Sequence, residues 1–586
     1  MNYNLNQHTG KEEKKSTLKA LKKLLQLISS ERNNLLKALV TILINSGLLL
    51  LSPFLIGYTI DAYVRTGDYK GVLLFSGILL VMYLITLVTG YLQTKLMGGV
   101  GQRMLFTLRN AIFTKLQELP VNFFNQNKAG DLISRVNNDT DKLNQFFSQA
   151  LMQFIGSIVT MVGAGVFLLS INLKLGAATL SPAVIILLFT AALSPWVKRK
   201  NALNLSSTGS LSAEIQESLS NFKVIIAFNR RDYFRKKFDE VNNHNYKTAI
   251  AAGIANNIFT PFYGLFSSFA QLIVLLYGIY LISQGQFSIG LLVSYLSYAT
   301  NFYNPLRQLA ALWANFQVAM AGWDRISQIL SLESDLRDVK AEAPEKNDAL
   351  LEFRNVHFGY TPEKEILHHI NFKLEKGKTY ALIGPTGGGK TTTASLIARL
   401  YDPSKGTVLL EGRDIRSFSA AERTAKIGFI LQEPFLFTGT VMDNILYGNP
   451  LYKDFSKDQL EVVIKEAELG DLLAIFDEGL DTPVASNADS ISLGQKQLIA
   501  FMRAVLRKPD LLILDEATAN IDTITEQLLS QILNKLPKET TLVIIAHRLN
   551  TIENADEIFF VNSGEVIKAG TLSAAMSMLL EDKRTS

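Results

Sequence analysis

An apolar run from Thr379 to Ile383 leads straight into Gly384-Pro385-Thr386-Gly387-Gly388-Gly389-Lys390-Thr391-Thr392, and a helix-compatible segment follows. Glycines at this density let successive backbone N–H groups turn inward, and a helix start behind them adds partial positive charge, which is the chemistry of a phosphate cradle. In such a P-loop Lys390 reaches the β- and γ-phosphates of ATP, and Thr391 offers its hydroxyl to Mg2+. A second apolar run, Leu511 to Leu514, ends in Asp515 and Glu516. A carboxylate leaving a buried strand beside a P-loop suits a water-mediated Mg2+ contact, which assigns Asp515. Glu516 is then placed to take a proton from an attacking water. Alone, the two carboxylates would serve equally well as helix caps.

These groups act only if a fold brings them together. From about residue 350 to 580 the β-type runs TYALIG, LLILDE and TLVIIAH alternate with helical stretches, as an α/β domain with a mainly parallel sheet requires. Before it, residues 331–349 (SLESDLRDVKAEAPEKNDA) are charged and poor in bulky apolar side chains, which predicts a linker. Residues 35–330 carry six apolar runs, near 35–62, 71–96, 146–170, 173–197, 253–283 and 287–320. Each suffices for a bilayer crossing of roughly 20 residues. The basic segments fall before the first run, between the second and third, and between the fourth and fifth, which puts them and both termini in the cytoplasm of a cell whose cytoplasmic membrane the chain spans. Residues 71–118 could run as one helix of about 70 Å against a hydrocarbon layer of about 30 Å, so the surplus would project inward. Amphipathic loops are the alternative.

Composition agrees. The 586 residues are 48% hydrophobic and 19% charged, which suits several domains with one embedded in a membrane. A net charge of +5 is too small to point to nucleic acid, and the lack of cysteine excludes disulfides, zinc thiolates and thiol catalysis. Residues 1–34 hold seven Lys/Arg against three acids, with Leu18, Leu21, Leu24, Leu25 and Ile28 at helical spacing. That pattern reads as a basic amphipathic segment at the membrane interface, with a disordered tail as the alternative for residues 1–16.

Taken together, GPTGGGKT, LLILDEATANID and LVIIAHR resemble the nucleotide-binding domain of the ABC transporter superfamily over residues 350–586. SPFLIGYTIDAY (52–63) and FFNQNKAGDLISRVNNDTDKL (123–143) resemble its exporter subclass, whose coupling helices touch the ATPase domains. Asn125 stands where that family usually has an acid. The resemblance implies an all-α six-helix transmembrane domain with long intracellular extensions plus a C-terminal α/β P-loop ATPase domain, half of an ATP-driven exporter. It also implies that Tyr360 stacks on adenine, that Gln432 senses Mg2+ and the attacking water, and that Asp522 and His547 are the D-loop aspartate and switch histidine. A membrane regulator that uses ATP only as a signal is the competing class.

In this family each ATP is closed between the P-loop of one domain and an LSGGQ signature of the other, so a single-ATPase chain implies a second half-transporter as partner. Here the signature positions read Ile491, Ser492, Leu493, Gly494 and Gln495. Ser492, Gly494 and Gln495 keep their groups for the partner's ATP, but Leu493 replaces a glycine. Ser486, Ala488 and Ser490 stand where the family shows Glu, Gly and Asn. With its own P-loop and carboxylates intact, the chain is expected to pair with a non-identical half. A homodimer with two weakened sites is the alternative.

From Asn144 to Ala213 and from Lys247 to Trp323 there is no Asp or Glu. That removes the usual proton relay and the usual counter-ion for a cationic drug. The same spans hold Gln149, Gln153, Asn256, Asn257, Asn304, Gln308, Asn315 and Arg307. Two readings stand: the amides line a cavity for amphipathic drugs, lipids or peptides, or they bind helix to helix while Arg307 snorkels to the interface.

Overall fold

A computed structural model describes residues 3–5, 31–340, 342–345, 348–361, 363–485, 491–515, 523–534, 536–545, 552 and 555–585. The basic amphipathic segment read at Leu18 to Ile28 lies outside them. The chain forms two compact units: one holds residues 11–116 and 130–331, the other residues 1–10, 117–129 and 332–586.

The first unit is helical. Its long helices are α1 (Arg32–Val64) and α2 (Tyr69–Glu118); after α3 (Val121–Gln126), which belongs to the other unit, come α4 (Ala129–Ile171), α5 (Leu173–Ser220), the short α6 (Phe222–Ala227), α7 (Arg231–Ser283) and α8 (Ile289–Leu330). Among the described residues five helices, all but α8, are long and apolar enough to cross a membrane. α2 is a single helix of 50 residues, about 75 Å at 1.5 Å per residue, so most of its length exceeds the hydrocarbon layer. α8 is more polar because it carries Asn301, Asn304, Arg307, Gln308 and Asn315. Tyrosines hold it in the bundle: Tyr298 and Tyr303 donate to the carbonyls of Leu50 and Thr179, both at 2.7 Å. Each of those carbonyls lies three residues before a proline inside its helix, Pro53 and Pro182.

Where α4 begins, its surface meets the end of α8 through charge. Arg325 reaches Asp131 at 2.6 Å and the fully buried Asp139 at 3.2 Å, and Arg135 donates to the Arg325 carbonyl at 2.8 Å. This network adds charge pairing to the apolar side chains buried in the same segments, Leu132, Leu143, Ile326 and Ile329.

The second unit is α/β. Strands β1 (Ala349–Phe358), β2 (Leu367–Glu375), β4 (Lys405–Leu410) and β5 (Arg413–Asp414) make an antiparallel sheet in the order β2-β1-β4-β5. The larger sheet runs β12-β11-β3-β10-β9-β6, built from β3 (Thr379–Ile383), β6 (Ile427–Ile430), β9 (Leu511–Asp515), β10 (Thr541–Ile545), β11 (Glu557–Asn562) and β12 (Glu565–Lys568). All but β12 are parallel, and β9 and β10 are buried along their whole length, which is why their sequences are continuous apolar runs rather than alternating ones. β7 (Gly439–Thr440) and β8 (Pro483–Val484) form a small ribbon.

The segment read as a linker has no helix or strand before Ala349 among its described residues beyond Leu330, yet it is pinned to this unit. Asp338 pairs with Arg399 at 3.0 Å, Glu345 with Arg354 at 2.7 Å, and the Val339 N–H donates to the Arg416 carbonyl at 3.2 Å. Its charges are ligands of the domain surface, not only solvated groups.

Candidate functional site

The parallel strands β3, β10, β9 and β6 end at one edge of the sheet, where open α/β sheets collect ligands. Ile545 pairs with Asp515 and Ile430 with Leu514, so the ends are level. From β3 the chain turns at Gly384, φ 145°, where a Cβ would run into the Val561 carbonyl. Gly389, φ 114°, then caps α9 (Lys390–Ile397). Between them Pro385, Thr386, Gly387 and Gly388 form a turn closed by the Gly388 N–H on the Pro385 carbonyl at 3.2 Å. Lys390 is buried, and its ammonium donates to the Gly384 and Pro385 carbonyls, both at 2.9 Å. The loop is therefore a cradle of backbone around a fixed cation, as a polyphosphate requires.

The Thr391 hydroxyl donates to Asp515 Oδ1 at 3.3 Å, joining the helix start to the end of β9. A buried carboxylate with a hydroxyl beside it is the oxygen donor set that a hard divalent cation takes, so the pair fits Mg2+. Such an ion supplies neutralisation of phosphate charge when bound. Tyr360 is brought to the same helix, its hydroxyl 3.1 Å from that of Thr392. Gln432 is exposed, two residues beyond β6. Glu516, Asp522 and His547 lie outside the described residues, as do Ser486, Ala488 and Ser490.

At the signature, Ser492 caps α10 (Leu493–Val505). Its Oγ accepts the Gln495 N–H at 3.2 Å, Gln495 Oε1 accepts the Ser492 N–H at 2.9 Å, and Gln495 Nε2 donates to the Ile475 carbonyl at 2.9 Å. This reciprocal capping box occupies both polar side chains. Gly494 is buried, and Leu493 is 41% exposed at the first helical position. The backbone there is ordinary helix and does not need glycine; leucine alters only the surface of the helix start.

Residues 35–306 match the ABC transporter transmembrane region, and residues 367–519 match the ABC transporter family. An ABC transporter ATP-binding protein of Bacillus subtilis, YfiC, is 33% identical over 95% of this chain and 92% of its own length. The chain belongs to the ABC transporter family. A fatty acid ABC transporter ATP-binding/permease protein of Mycobacterium bovis is 32% identical over 86% of this chain and 79% of its own. An ATP-dependent lipid A-core flippase of Haemophilus influenzae is 30% identical over 96% and 95%. This ABC transporter is thus an exporter half with fused membrane and ATP-binding domains, an ATPase coupled to transmembrane movement.

In this transporter residues 117–129 group with the ATP-binding unit rather than with the helices they connect. On α3, Asn125 Nδ2 donates to the Tyr401 hydroxyl at 2.8 Å, and the Tyr401 ring meets that of Tyr360 edge-on at 5.2 Å between centroids. Burial, first of all, pushes the Tyr401 phenol above its usual pKa, so it remains a neutral hydroxyl. A continuous line of contact therefore runs Asn125, Tyr401, Tyr360, Thr392. Sequence reasoning missed Tyr401, whose only signal was an aromatic before Asp402-Pro403. It also missed Tyr3, which is fully buried against Phe123 and clamped by Gln126, Asn127 and the 333–335 segment.

Within the helical unit a cavity of ≈ 400 Å³ opens among α1, α2, α4 and α8, and a smaller hollow of ≈ 150 Å³ adjoins it through the shared Gln153. The amides singled out in the sequence divide. Asn256 pairs reciprocally with Asn201 at 2.8 and 3.0 Å, and Asn257 donates to the Gly253 carbonyl at 3.0 Å, so these two bind helix to helix or locally. Gln149, Gln153, Asn304, Gln308 and Asn315 line the hollows and have no hydrogen-bond partner among the described residues. Arg307 lines neither.

Proposed function

We propose that this half-transporter exports amphipathic molecules from the cytoplasm by hydrolysing ATP, paired with a second, non-identical half. The observation that carries the substrate reading is the larger cavity: its lining mixes unpartnered amides with Ile42, Leu49 and Met152 and contains no ionisable side chain. In the ATP site we assign ATP binding to the loop from Gly384 to Thr392 with Tyr360, and Mg2+ to Thr391, Asp515 and Gln432. Glu516 is the general base, with His547 and Asp522 completing the site by their place in the family pattern. Relatives named for fatty acid transport and lipid A-core flipping fit an amphipathic cargo.

Pairing is supported by apolar surface. α6 and the next residue leave Phe222, Val224, Ile226 and Phe228 exposed, more than a helix of this length in water ordinarily presents. The ATP-binding unit carries a groove of ≈ 230 Å³ in which Phe429, Phe435, Phe437 and Tyr447 lie beside Arg503 and Arg507. A second half offers each surface its cover.

The test is transport in proteoliposomes. ATP should drive movement of a fluorescent lipid or hydrophobic dye, with or without a proton gradient. Movement that follows an imposed pH gradient and ignores ATP would end the reading.

A further inference from the structure

Five glutamines and asparagines that have no hydrogen-bond partner among the described residues stand exposed along these hollows. Facing lipid tails they would lose what water gives an amide, so they suit a polar surface turned toward a solvated path or a polar ligand. If they served only to join helices of this chain, interhelical hydrogen bonds would be present, as they are for Asn201 and Asn256. On α4, Gln149 and Gln153 are four residues apart; on α8, Asn304, Gln308 and Asn315 recur at intervals of four and seven. Both sets therefore fall on one face of their helix and run as two facing ladders. Pro305 adds a further acceptor, since it has no N–H for the carbonyl of Asn301, and both residues line the cavity.

The charge inventory then selects the ligand. The lining holds no carboxylate to attract a cationic head group. At its far end the one cation, Lys142, is held by Asp139 at 2.9 Å, so no free cation awaits a phosphate or carboxylate. What remains are primary amides, each a donor and an acceptor side by side, the match for vicinal hydroxyls. Val318, half-exposed in the smaller hollow, offers an apolar surface beside the amides on which the C–H face of a sugar ring can rest.

We propose that the two amide ladders are a recognition track for an uncharged, hydroxyl-rich head group, so that the cargo is a neutral glycolipid rather than a charged phospholipid or cationic drug. The proposal rests on the exporter reading and sharpens it.

The test uses the full chain, with any partner that co-purifies, incubated with equal amounts of monoglucosyl diacylglycerol, phosphatidylglycerol and dodecyltrimethylammonium. Native mass spectrometry counts what is retained. The glucosyl lipid should be retained several-fold over the other two. Gln153→Leu with Asn304→Leu should lower that retention roughly tenfold, as the loss of two neutral hydrogen bonds implies. Should the double variant fail to fold, Gln153→Glu, which keeps size and polarity, should exchange the preference for the cationic amphiphile. Equal retention of phosphatidylglycerol, or retention untouched by the substitutions, overturns the proposal. ATP-driven movement of phospholipid without glycolipid preference overturns it too, while leaving the exporter reading in place. Absence of any ATP-driven movement overturns the exporter reading instead, and retention still reports on the track.

Discussion

Asn125 and Tyr401 are joined by one hydrogen bond in which the amide donates and the phenol accepts, 2.8 Å apart. An acid at position 125 would reverse that polarity, with the phenol as donor. Asparagine instead frees the Tyr401 hydrogen for another acceptor and keeps α3 bound to the ring that abuts Tyr360. Loss of a neutral hydrogen bond costs about 1 kcal/mol. Asn125→Ala should therefore weaken substrate stimulation of ATPase while basal hydrolysis changes little, and Asn125→Asp should restore most of the stimulation. A double-mutant cycle with Tyr401→Phe measures the link, and strictly additive effects would exclude it.

The Thr391 to Asp515 bond gives the metal prediction. Chelation of Mg2+ should abolish hydrolysis, and Thr391→Ala should raise the Mg2+ concentration needed for half-maximal rate. Asp515→Asn should do so more strongly, because it removes the charge as well as a ligand. A Mg2+ titration at saturating ATP reads both, and unchanged half-points would release these residues from the role.

Glu516→Gln should leave ATP binding intact and lower hydrolysis by about two orders of magnitude, the usual cost of removing a general base. Lys390→Ala should act earlier, weakening nucleotide binding through lost phosphate contacts. A nucleotide titration beside a turnover assay separates the two, and near-normal turnover in the glutamine variant would remove Glu516 from the mechanism.

The Asp139 carboxylate is fully buried and shared by Lys142 and Arg325. Arg325→Met leaves a buried charge with half its partners, at a cost of roughly 3 kcal/mol. The thermal midpoint of the purified chain should fall, and Asp139→Asn added to it should recover part of the loss. An unmoved midpoint would mean that water already serves this carboxylate.

Legibility in the sequence followed how local each signal is. β3, β9 and β10 were readable because strands buried on both faces need uninterrupted apolar runs, and Lys390, Thr391 and Asp515 because the chain must enter and leave such strands at their ends. α2 was readable as one helix because nothing from Tyr69 to Glu118 stops it; no proline falls in that stretch. By contrast, Tyr3 gave no signal, since its partners are Gln126, Asn127 and residues 333–335, and long-range clamps have no period. The amides were visible but not their division: only tertiary placement tells Asn256, which pairs with Asn201, from Asn304, which has no partner among the described residues.

Leu493 decides between pairings. It begins α10 in ordinary helical conformation, half-exposed, while Ser492 and Gln495 are engaged with each other across the helix start. The N-terminal N–H groups of α10 and its dipole are therefore intact, and what leucine adds is bulk where a partner's ATP phosphates would need close approach. Glycine at 493 should cost the exposed helix only about 1 kcal/mol in propensity, so Leu493→Gly tests contact rather than folding. In a homodimer the substitution improves both ATP sites, and turnover by the lone chain should rise together with its ability to trap two nucleotides. In a heterodimer it improves only the site built on the partner's P-loop, leaving the site built on Lys390 and Glu516 unchanged. The lone chain should then hydrolyse ATP poorly before and after the change, with activity appearing on co-expression of a half that carries LSGGQ. Robust, substrate-stimulated ATPase from a stable dimer of this chain alone would refute the heterodimer.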